Sequence, residues 1–509
     1  MPKCYKGSQL VLITISLSLA IFMNVLDISI ANVSIPSIAG DLGVSADQGT
    51  WVITSFIVAS AIMLPITGWL AKRVGEVKLF VICTFMFTFA SWLCGLSTNL
   101  PMLVTFRILQ GTFAGPMIPL SQSLLLAHYP DDKKGLAMAL WSMIAVVAPV
   151  FGPILGGWIT DYYSWPWIFY INIPVGFTAS YMTWRLLKSE ETAKSQTPID
   201  IVGLILLILG VGSLQILLDQ GYDLDWFNSP IIISLALISF VSISFLIVWE
   251  LTEENPIIDL SLFKRINFTI GTIAIAFGYT VFFGNIVIFP LWLQTEMGYT
   301  PTWAGLATAP IGILAIIFTP FVGRYMNKID LRIIVSISFF IFALCSFWSS
   351  TFYTTVSFKI LIMPRILMGL AIATFFTPLI TIVLSGLSAD RVATAAGLTN
   401  FFRILGGSFG TSLSVSFWQH RASFYHARLV EYITHYNPTS NAFIQNSSQS
   451  FHLSQLASYD LLNNIVTNQG FMKSTIDFFW LSGVIFFGLL FLVWLSKPPF
   501  MAQGKAMMD

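Results

Sequence analysis

Long runs of hydrophobic residues follow one another along the whole chain, and short polar stretches separate them. Each run has about the 20 residues that a helix needs to cross the hydrocarbon core of a bilayer. The pattern predicts 14 membrane-spanning helices, at residues 10–35, 50–71, 79–98, 102–126, 136–159, 167–187, 200–219, 230–250, 268–290, 302–322, 332–350, 357–384, 392–416 and 474–496. The first run is too long for a signal peptide and lacks a small-residue cleavage site, so we expect it to remain as a helix.

Basic residues decide how these helices are oriented. If both termini lie in the cytoplasm, 18 Lys and Arg residues fall on the cytoplasmic side and 4 on the opposite side. An excess of this kind is typical of cytoplasmic loops. The sequence therefore predicts a multi-pass membrane protein with both termini in the cytoplasm. Three further basic residues, Arg107, Arg365 and Arg403, fall inside predicted helices.

Composition excludes several other classes of protein. Hydrophobic residues make up 56% of the 509 residues and charged residues 10%, whereas soluble proteins have roughly 25% charged residues. The net charge of +1 argues against a nucleic-acid-binding protein. The four cysteines lie far apart without metal or redox spacing, and no G-x-x-x-x-G-K-[ST] motif for ATP phosphates occurs.

Short motifs from the first half of the chain recur in the second half at nearly constant spacing. Arg107–Gly111 recurs as Arg365–Gly369 after 258 residues, and Pro65–Gly68 recurs as Pro320–Gly323 after 255 residues. Gly152 and Gly156 recur as Gly406 and Gly410 after 254 residues. Three matches in the same order predict an all-α integral membrane protein built from two parallel six-helix halves, residues 1–190 and 256–509, with two inserted helices within 191–255. Parallel halves of this kind place the substrate at their interface near the middle of the membrane.

Two opposite charges are predicted to lie inside the membrane. Asp27 lies about 12 Å and Arg107 about 9 Å below the outer ends of their predicted helices, at 1.5 Å per residue, so the two can pair. A charge inside the bilayer costs at least about 2.5–3.5 kcal/mol, which favours a functional role. We interpret Asp27 as a proton carrier whose proton affinity is raised by burial and lowered by Arg107. A permanent ion pair that fixes helix packing, and direct binding of a cationic substrate, are the alternatives.

Other polar residues inside the predicted helices are candidates for the substrate cavity. They are Asn24, Asn32, Gln110, Asn285, Arg365, Asn400 and Arg403. The two arginines either attract anionic substrates or bond to backbone carbonyls and water. Gln110 begins a stripe of polar and small residues with Gly111, Ala114 and Gly115, which either faces the bundle interior or allows close helix packing.

Two further segments have the residues of conformational motifs. In the predicted fifth helix, Pro149 and Pro153 should bend the backbone, while small residues at Gly152, Gly156 and Gly157 allow a neighbour to come close. This helix is either a rocking surface between the halves or a site of simple tight packing. After the second helix, Gly68 and Gly75 should permit a tight reversal, and Lys72 and Arg73 either anchor the loop in the cytoplasm or lock a closed state.

Residues 418–472 are predicted to form a long loop on the periplasmic side, rich in Asn, Ser, Gln and His. Loops of this length are often functional or disordered. We expect either a solvated linker or a docking element for an adaptor protein.

The chain resembles the major facilitator superfamily and, within it, the 14-span drug:proton antiporters of the EmrB/QacA type, above all the EmrB branch. The segments that carry the resemblance are Leu26–Pro36, Gly49–Phe56, Gly68–Phe80, Pro116–Leu126, Trp167–Pro174, Leu224–Phe227 and Asp259–Lys264. The charges of the loop after the second helix depart from the superfamily pattern, because Lys72 replaces an acidic residue and Glu76 a basic one. The usual salt-bridge gate therefore cannot be transferred directly.

The resemblance implies a secondary active transporter, not an enzyme, that exports hydrophobic toxic compounds in exchange for protons and needs no cofactor. It assigns the first-helix carboxylate to Asp27, the fourth-helix arginine to Arg107 and the antiporter motif to Pro149–Gly157. It also implies the inner membrane of a Gram-negative cell, a periplasmic membrane-fusion adaptor of the EmrA type and an outer-membrane TolC-like channel. Export of fatty acids or another single solute, and proton-coupled import, are the alternatives.

Overall fold

A computed structural model describes residues 8–130, 141, 148, 151–192, 198, 200–253, 256–326, 329–387, 389–434, 436–451, 454–498 and 500. These residues form helices joined by short turns, and no β-strand occurs among them. The structure therefore agrees with the predicted all-α class.

Eight helical segments occur among the described residues of the first half. They are α1 (Ser8–Leu42), α2 (Ala46–Gly49), α3 (Trp51–Val74), α4 (Glu76–Gly95), α5 (Leu100–His128), α6 (151–162), α7 (Trp167–Tyr170) and α8 (Asn172–Leu187). The predicted span 136–159 lies mainly outside the described residues, and its last part is α6. The predicted span 167–187 is divided between α7 and α8.

The remaining helices follow after the first half. They are the inserted pair α9 (Ile201–Gln220) and α10 (Pro230–Thr252), then α11 (Ile266–Thr295), α12 (Pro301–Thr308), α13 (Ile311–Tyr325), α14 (Leu331–Ser349), α15 (Phe358–Leu384), α16 (Ala389–Val430), α17 (Pro438–Phe451) and α18 (Gln455–Val493). The predicted span 392–416 lies within α16, which is much longer.

Local sequence explains where several of these helices begin. The Asn99 side chain accepts a hydrogen bond from the Met102 amide, and Pro101 follows in the first turn of α5. Thr300 caps α12 in the same way ahead of Pro301. Such residues satisfy backbone groups that the first helical turn leaves free, and proline fits there because it lacks an N–H.

Ten helical stretches among the described residues are long and apolar enough to cross a membrane. They are Ser8–Leu42, Ala46–Val74, Glu76–Gly95, Ile201–Gln220, Pro230–Thr252, Ile266–Thr295, Pro301–Gly323, Leu331–Ser349, Phe358–Leu384 and Gln455–Val493. The chain is thus a multi-pass membrane protein.

The predicted internal repeat is visible in how the helices pack. In the first half, a Cβ at Gly111 of α5 would lie 2.3 Å from the Phe56 carbonyl oxygen of α3. In the second half, a Cβ at Gly369 of α15 would lie 2.3 Å from the Ile311 carbonyl oxygen of α13. The same close approach occurs at positions 258 residues apart, so the motif that repeats in the sequence performs the same packing in both halves.

Hydrogen bonds join the two halves at the predicted outer end of the bundle. Gln294 of α11 donates to the Val33 carbonyl of α1 at 2.9 Å, and the Thr302 amide of α12 donates to Asp161 of α6 at 2.8 Å. Ser408 of α16 also donates to the Thr54 carbonyl of α3 at 3.2 Å. The halves are therefore closed against each other at the outer end.

The inserted helices pack on each other and on the bundle. Ser239 of α10 donates to the Gly210 carbonyl of α9 at 3.0 Å. α9 also contacts both α3 and α16, whereas α10 exposes large apolar side chains such as Phe240 and Phe245. An apolar exposed face of this kind is suited to lipid contact, so α9 is the member of the pair that joins the two halves.

The prediction of a long loop at 418–472 is wrong in its secondary structure. α16 continues without a break to Val430, α17 occupies Pro438–Phe451, and α18 already begins at Gln455. Arg421 of α16 pairs with Asp477 of α18, and Trp418 donates to Thr475 at 2.8 Å. The segment is thus a helical extension of the bundle, held at its base by polar contacts that hydropathy alone does not reveal.

Candidate functional site

The two predicted membrane charges form a fully buried ion pair. The Arg107 Nη1 atom of α5 lies 2.5 Å from the Asp27 Oδ2 atom of α1, and both side chains are 0% exposed. α1 continues to Leu42 instead of ending near residue 35, so Asp27 lies deeper from its outer end than the predicted 12 Å.

Three neutral side chains complete the surroundings of the carboxylate. Gln110 donates to Asp27 Oδ1 at 3.1 Å and accepts from Arg107 at 2.6 Å. Asn172 of α8 donates to the same Oδ1 at 2.8 Å. Both amides also donate to Ser91 of α4, at 3.2 and 2.9 Å. Asp27 thus connects α1 with α5 and α8, and these connect with α4.

Arg107 is held independently of Asp27. Its Nε atom donates to the Val52 carbonyl of α3 at 2.8 Å, and its guanidinium carbon lies 4.2 Å from the centre of the Phe56 ring. An aromatic face stabilises a cation by its ring quadrupole. The arginine can therefore keep its place when the charge on Asp27 changes.

Asn172 and Ser91 are site residues that the sequence did not single out. Each is a neutral polar residue in an apolar run, a signal shared by many residues that only pack. Asn172 has the stronger signal, because it stands two positions before Pro174 where α7 gives way to α8. Its burial at 2% exposure, with its amide directed at a carboxylate, is visible only in the structure.

The remaining predicted residues of the first half do not join this network. Asn24 donates to the Ala114 carbonyl at 2.9 Å, and Asn32 donates to the Ile28 carbonyl of its own helix at 3.1 Å. Gly111 and Gly115 lie against the α3 backbone. The small residues of the stripe therefore serve close packing, and Gln110 serves the buried carboxylate.

The second half has the same arginine without a carboxylate. Counting 258 residues on from Asp27, the offset of the two arginine motifs, leads to Asn285 of α11. Asn285 donates to Ser482 at 3.1 Å, and Arg365 lies 3.7 Å from the centre of the Phe289 ring. The Arg365 Nη1 atom donates to the Met368 sulfur at 3.6 Å, whereas Nε and Nη2 make no hydrogen bond to the described residues.

Arg403 of α16 stands in a different environment. It is partly exposed, and its Nη1 atom donates to the Tyr279 hydroxyl of α11 at 3.0 Å. Its guanidinium carbon lies 5.1 Å from the Tyr279 ring and 5.7 Å from the Phe376 ring. Asn400, one turn away on the same helix, is also partly exposed. This cluster combines a cation with aromatic surface that is not fully covered.

The antiporter motif presents small residues to two different neighbours. Pro149 lies outside the described residues. A Cβ at Gly152 or Gly156 would lie within 2.4 to 2.6 Å of atoms of α1, whereas a Cβ at Gly157 would lie 2.4 Å from the Pro301 carbonyl oxygen of α12. On that same surface, a Cβ at Gly305 would lie 2.1 Å from the Pro153 carbonyl oxygen. α6 therefore packs within its own half through one face and against the other half through another.

The loop after α3 is organised differently from the prediction. Gly68 lies inside α3, and the reversal falls at Gly75 alone, whose φ is 101°. A side chain at Gly75 would collide with Glu191, whose carboxylate accepts from the amides of Val77 and Lys78 at 3.0 and 2.9 Å. A carboxylate there stabilises the start of α4.

Lys72 and Arg73 are exposed in the last turn of α3. Basic side chains in this position interact favourably with the helix dipole. The Arg73 guanidinium carbon lies 6.0 Å from the Trp69 ring. The arrangement agrees with an anchor at the membrane surface.

No group of His, Cys, Asp and Glu suited to a metal ion occurs in the part of the chain that the structure describes.

Comparison with known proteins places this geometry in a family. The Major Facilitator Superfamily model matches residues 17–411. The multidrug export protein EmrB of Escherichia coli (strain K12) is 52% identical over 503 residues, covering 99% of this chain and 98% of that protein. The fatty acid resistance protein FarB of Neisseria gonorrhoeae is 50% identical over 499 residues, covering 98% of each.

A solved D-xylose–proton symporter has a similar fold. It superimposes with a TM-score of 0.64 at 15% sequence identity, covering 98% of this chain and 100% of that one. The chain therefore belongs to the Major Facilitator Superfamily and, within it, to the EmrB-type transporters.

Proposed function

We propose that this protein exports hydrophobic toxic compounds in exchange for protons that enter the cell. The observation that carries the proposal is the buried Asp27–Arg107 pair, in which a carboxylate with no exposed surface is surrounded by hydrogen-bond donors. The similarity of this chain to a multidrug export protein along nearly its whole length supports the same function.

A proton on Asp27 would change the contacts of three helices, α1, α5 and α8. The charged carboxylate accepts bonds from Arg107, Gln110 and Asn172, and bonds to a charged group are each worth about 1.5–3 kcal/mol. Protonation weakens all three while Arg107 stays attached to Val52. The link of α1 to α5 and α8 then depends on the proton, which is the requirement for coupling proton binding to a conformational change.

The closed outer end corresponds to the state that faces the cytoplasm. In this state the protein would take up its substrate from the inside. The Gly157 face of α6, which packs against α12 of the other half, provides the surface on which the halves would rock to open the outer end.

The substrate would contact the aromatic cluster around Arg403. The partly exposed Phe376 offers flat apolar surface, and Arg403 offers a cation to a substrate that has a negative charge. This favours lipophilic weak acids. Export of fatty acids is the second candidate, because the relative FarB is named for fatty acid resistance and a carboxylate would pair with Arg403.

For the membrane arrangement, we propose 14 spans as two six-helix halves and two inserted helices. The positive-inside bias supports cytoplasmic termini. The inner membrane of a Gram-negative cell is the location that the EmrB-type relatives support.

For partners, we propose an EmrA-type periplasmic adaptor and, through it, a TolC-like channel. The helical extension at 418–472 is the contact we infer. Its tip exposes Tyr436 at 95%, Leu456 at 80% and Tyr432 at 72%, and encloses a cavity of about 370 Å³ lined by Ile433, Thr434, Tyr436, Ser440, Asn441, Ile444 and Tyr459. Exposed aromatic side chains beside a concave surface are typical of protein interfaces.

Asp27→Asn tests the proposal. In inverted vesicles, wild-type protein should release protons when hydrophobic antibiotics of several classes, or a long-chain fatty acid at a concentration that leaves the gradient of protein-free vesicles intact, are added, and the Asn variant should not. Asp41→Asn is the matched control, because Asp41 lies on the same helix but is exposed. Both variants should reach the membrane in equal amount.

Full drug resistance in cells that carry Asp27→Asn would remove this carboxylate from the mechanism. Proton movement in the same direction as the substrate would instead identify an importer. The panel of compounds separates a multidrug exporter from a fatty acid exporter, since only the former responds to several chemical classes.

A further inference from the structure

A second membrane carboxylate lies outside the site described above. Asp219 stands one residue before the end of the inserted helix α9. It accepts a hydrogen bond from Thr54 of α3 at 2.8 Å, from Gln215 of its own helix at 2.9 Å, and a very short one from Ser412 of α16. One carboxylate is thus bonded to the first half, the second half and the inserted pair.

The side chains around Asp219 form one buried network. Gln215 donates to Ser412 at 2.6 Å and accepts from Ser408 at 3.0 Å, and Ser408 also donates to the Thr54 carbonyl. Thr54, Gln215, Ser408 and Ser412 are each at most 3% exposed, whereas Asp219 is partly exposed at the outer end. The carboxylate therefore lies at the outer end of α9, where the two halves and the inserted pair meet.

The donors to this carboxylate are all neutral. On α16, Arg403 and Arg421 are each nine residues away from Ser412, about 14 Å along the helix, and they bond to Tyr279 and Asp477 instead. α3 has no charged residue between Trp51 and Ala71, and α9 has none besides Asp219.

The other titratable groups near this end have their own partners. Asp223 accepts from Gln48 beside Asp47, and Tyr222 bonds to Ser423. On α10, Glu250 lies at the other end of the inserted pair, where it accepts from the Ile258 amide.

We propose that Asp219 is a second proton-binding site, at which a proton from the outer compartment releases the contact between the two halves. The charged carboxylate holds Thr54 and Ser412 together and keeps the outer end closed. The neutral acid is a weaker acceptor, so the outer end opens more easily. The proposal rests on the function proposed above, in which the halves rock and open the two ends in turn (alternating access). It gives the inserted helix α9 a role as a proton-sensitive contact that is separate from Asp27.

The test measures the distance across the outer end with two spin labels. Ser45 of the first half and Thr355 of the second half are exposed and suitable for labelling, in a background without the four native cysteines. Full-length protein in nanodiscs is titrated from pH 8 to pH 5. Asp27→Asn is present throughout, so that the remaining pH dependence does not come from Asp27.

We expect the open fraction to rise as the pH falls. Asp219→Asn should be open at every pH, with an open-to-closed ratio about tenfold or more above that of the background at pH 8, since bonds to a charged acceptor are lost. Asp223→Asn is the matched control and should behave like the background. A pH dependence that survives Asp219→Asn, or a background without any pH dependence, would overturn the proposal.

A second variant keeps the test decisive if Asp219→Asn does not fold. Thr54→Val leaves the carboxylate intact and removes its donor from the first half, so the open fraction should rise at the same pH. An unchanged open fraction would contradict the proton-sensitive contact. Drug-driven proton release by otherwise wild-type protein decides the proposed function separately, because that function can fail while the outer end still opens with pH.

Discussion

Asn172→Ala is the substitution that best tests the proposed role of Asp27 in proton coupling. Asn172 donates to the Asp27 carboxylate at 2.8 Å and to Ser91 at 2.9 Å. A hydrogen bond to a charged group contributes about 1.5–3 kcal/mol, and 1.36 kcal/mol corresponds to one pH unit. Because the bond favours the charged carboxylate, its loss should move the midpoint of the transport pH profile upward by about 1–2 units.

Proteoliposomes with a pH-sensitive dye inside would report the profile. Asn24→Ala is the matched control, since it removes a buried amide of the same half that donates at 2.9 Å to a backbone carbonyl instead of the carboxylate. The control should lower activity at most, without moving the midpoint. An equal shift in both variants would show that packing sets the profile, and no shift in Asn172→Ala would show that its bond to Asp27 has no part in proton loading.

Two further substitutions test the parts that move and dock. Gly157→Ala places a Cβ 2.4 Å from the Pro301 carbonyl oxygen, so it should push the outer end open in the spin-label measurement. Gly40→Ala is the control and should leave the distances unchanged, because its Cβ meets nothing within 4 Å. Unchanged distances in Gly157→Ala would rule out α6 as a contact surface between the halves. Replacing residues 432–454 by a short Gly-Ser linker keeps the Trp418 and Arg421 contacts at the base of the extension. The replacement should therefore spare proton-linked transport in vesicles but abolish resistance in whole cells. Resistance that survives would reject adaptor docking through the tip.

Much of the fold could be predicted because membrane helices have a strong and simple signal. Twenty apolar residues in a row have few alternatives, and a buried charge such as Asp27 stands out against them. The partner Arg107 followed from the same contrast. The repeat was also recoverable, because glycine is needed wherever two helix backbones touch, at Gly111 as at Gly369.

Other features were missed because their signals are weak or ambiguous. Ser91 and Asn172 are neutral, and a neutral polar residue in a helix fits many environments. Polar sequence at 418–472 indicated exposure to water, but exposure does not distinguish a loop from a helix supported at its base by Arg421 and Asp477. Gly68 and Gly75 look alike in the sequence, since each is a glycine near the end of an apolar run. Only the backbone conformation shows that Gly68 lies in a helix and Gly75 in the turn.

The different surroundings of Arg107 and Arg365 have a consequence for how the substrate range of the protein can evolve. Arg107 faces a carboxylate, while its counterpart Arg365 faces the Phe289 ring and a methionine sulfur. With the function proposed above, a repeat of this kind confines proton binding next to the arginine to the first half. Mutations in the second half can then alter which substrates bind without disturbing proton coupling. A broad range of substrates thus becomes accessible through a few substitutions.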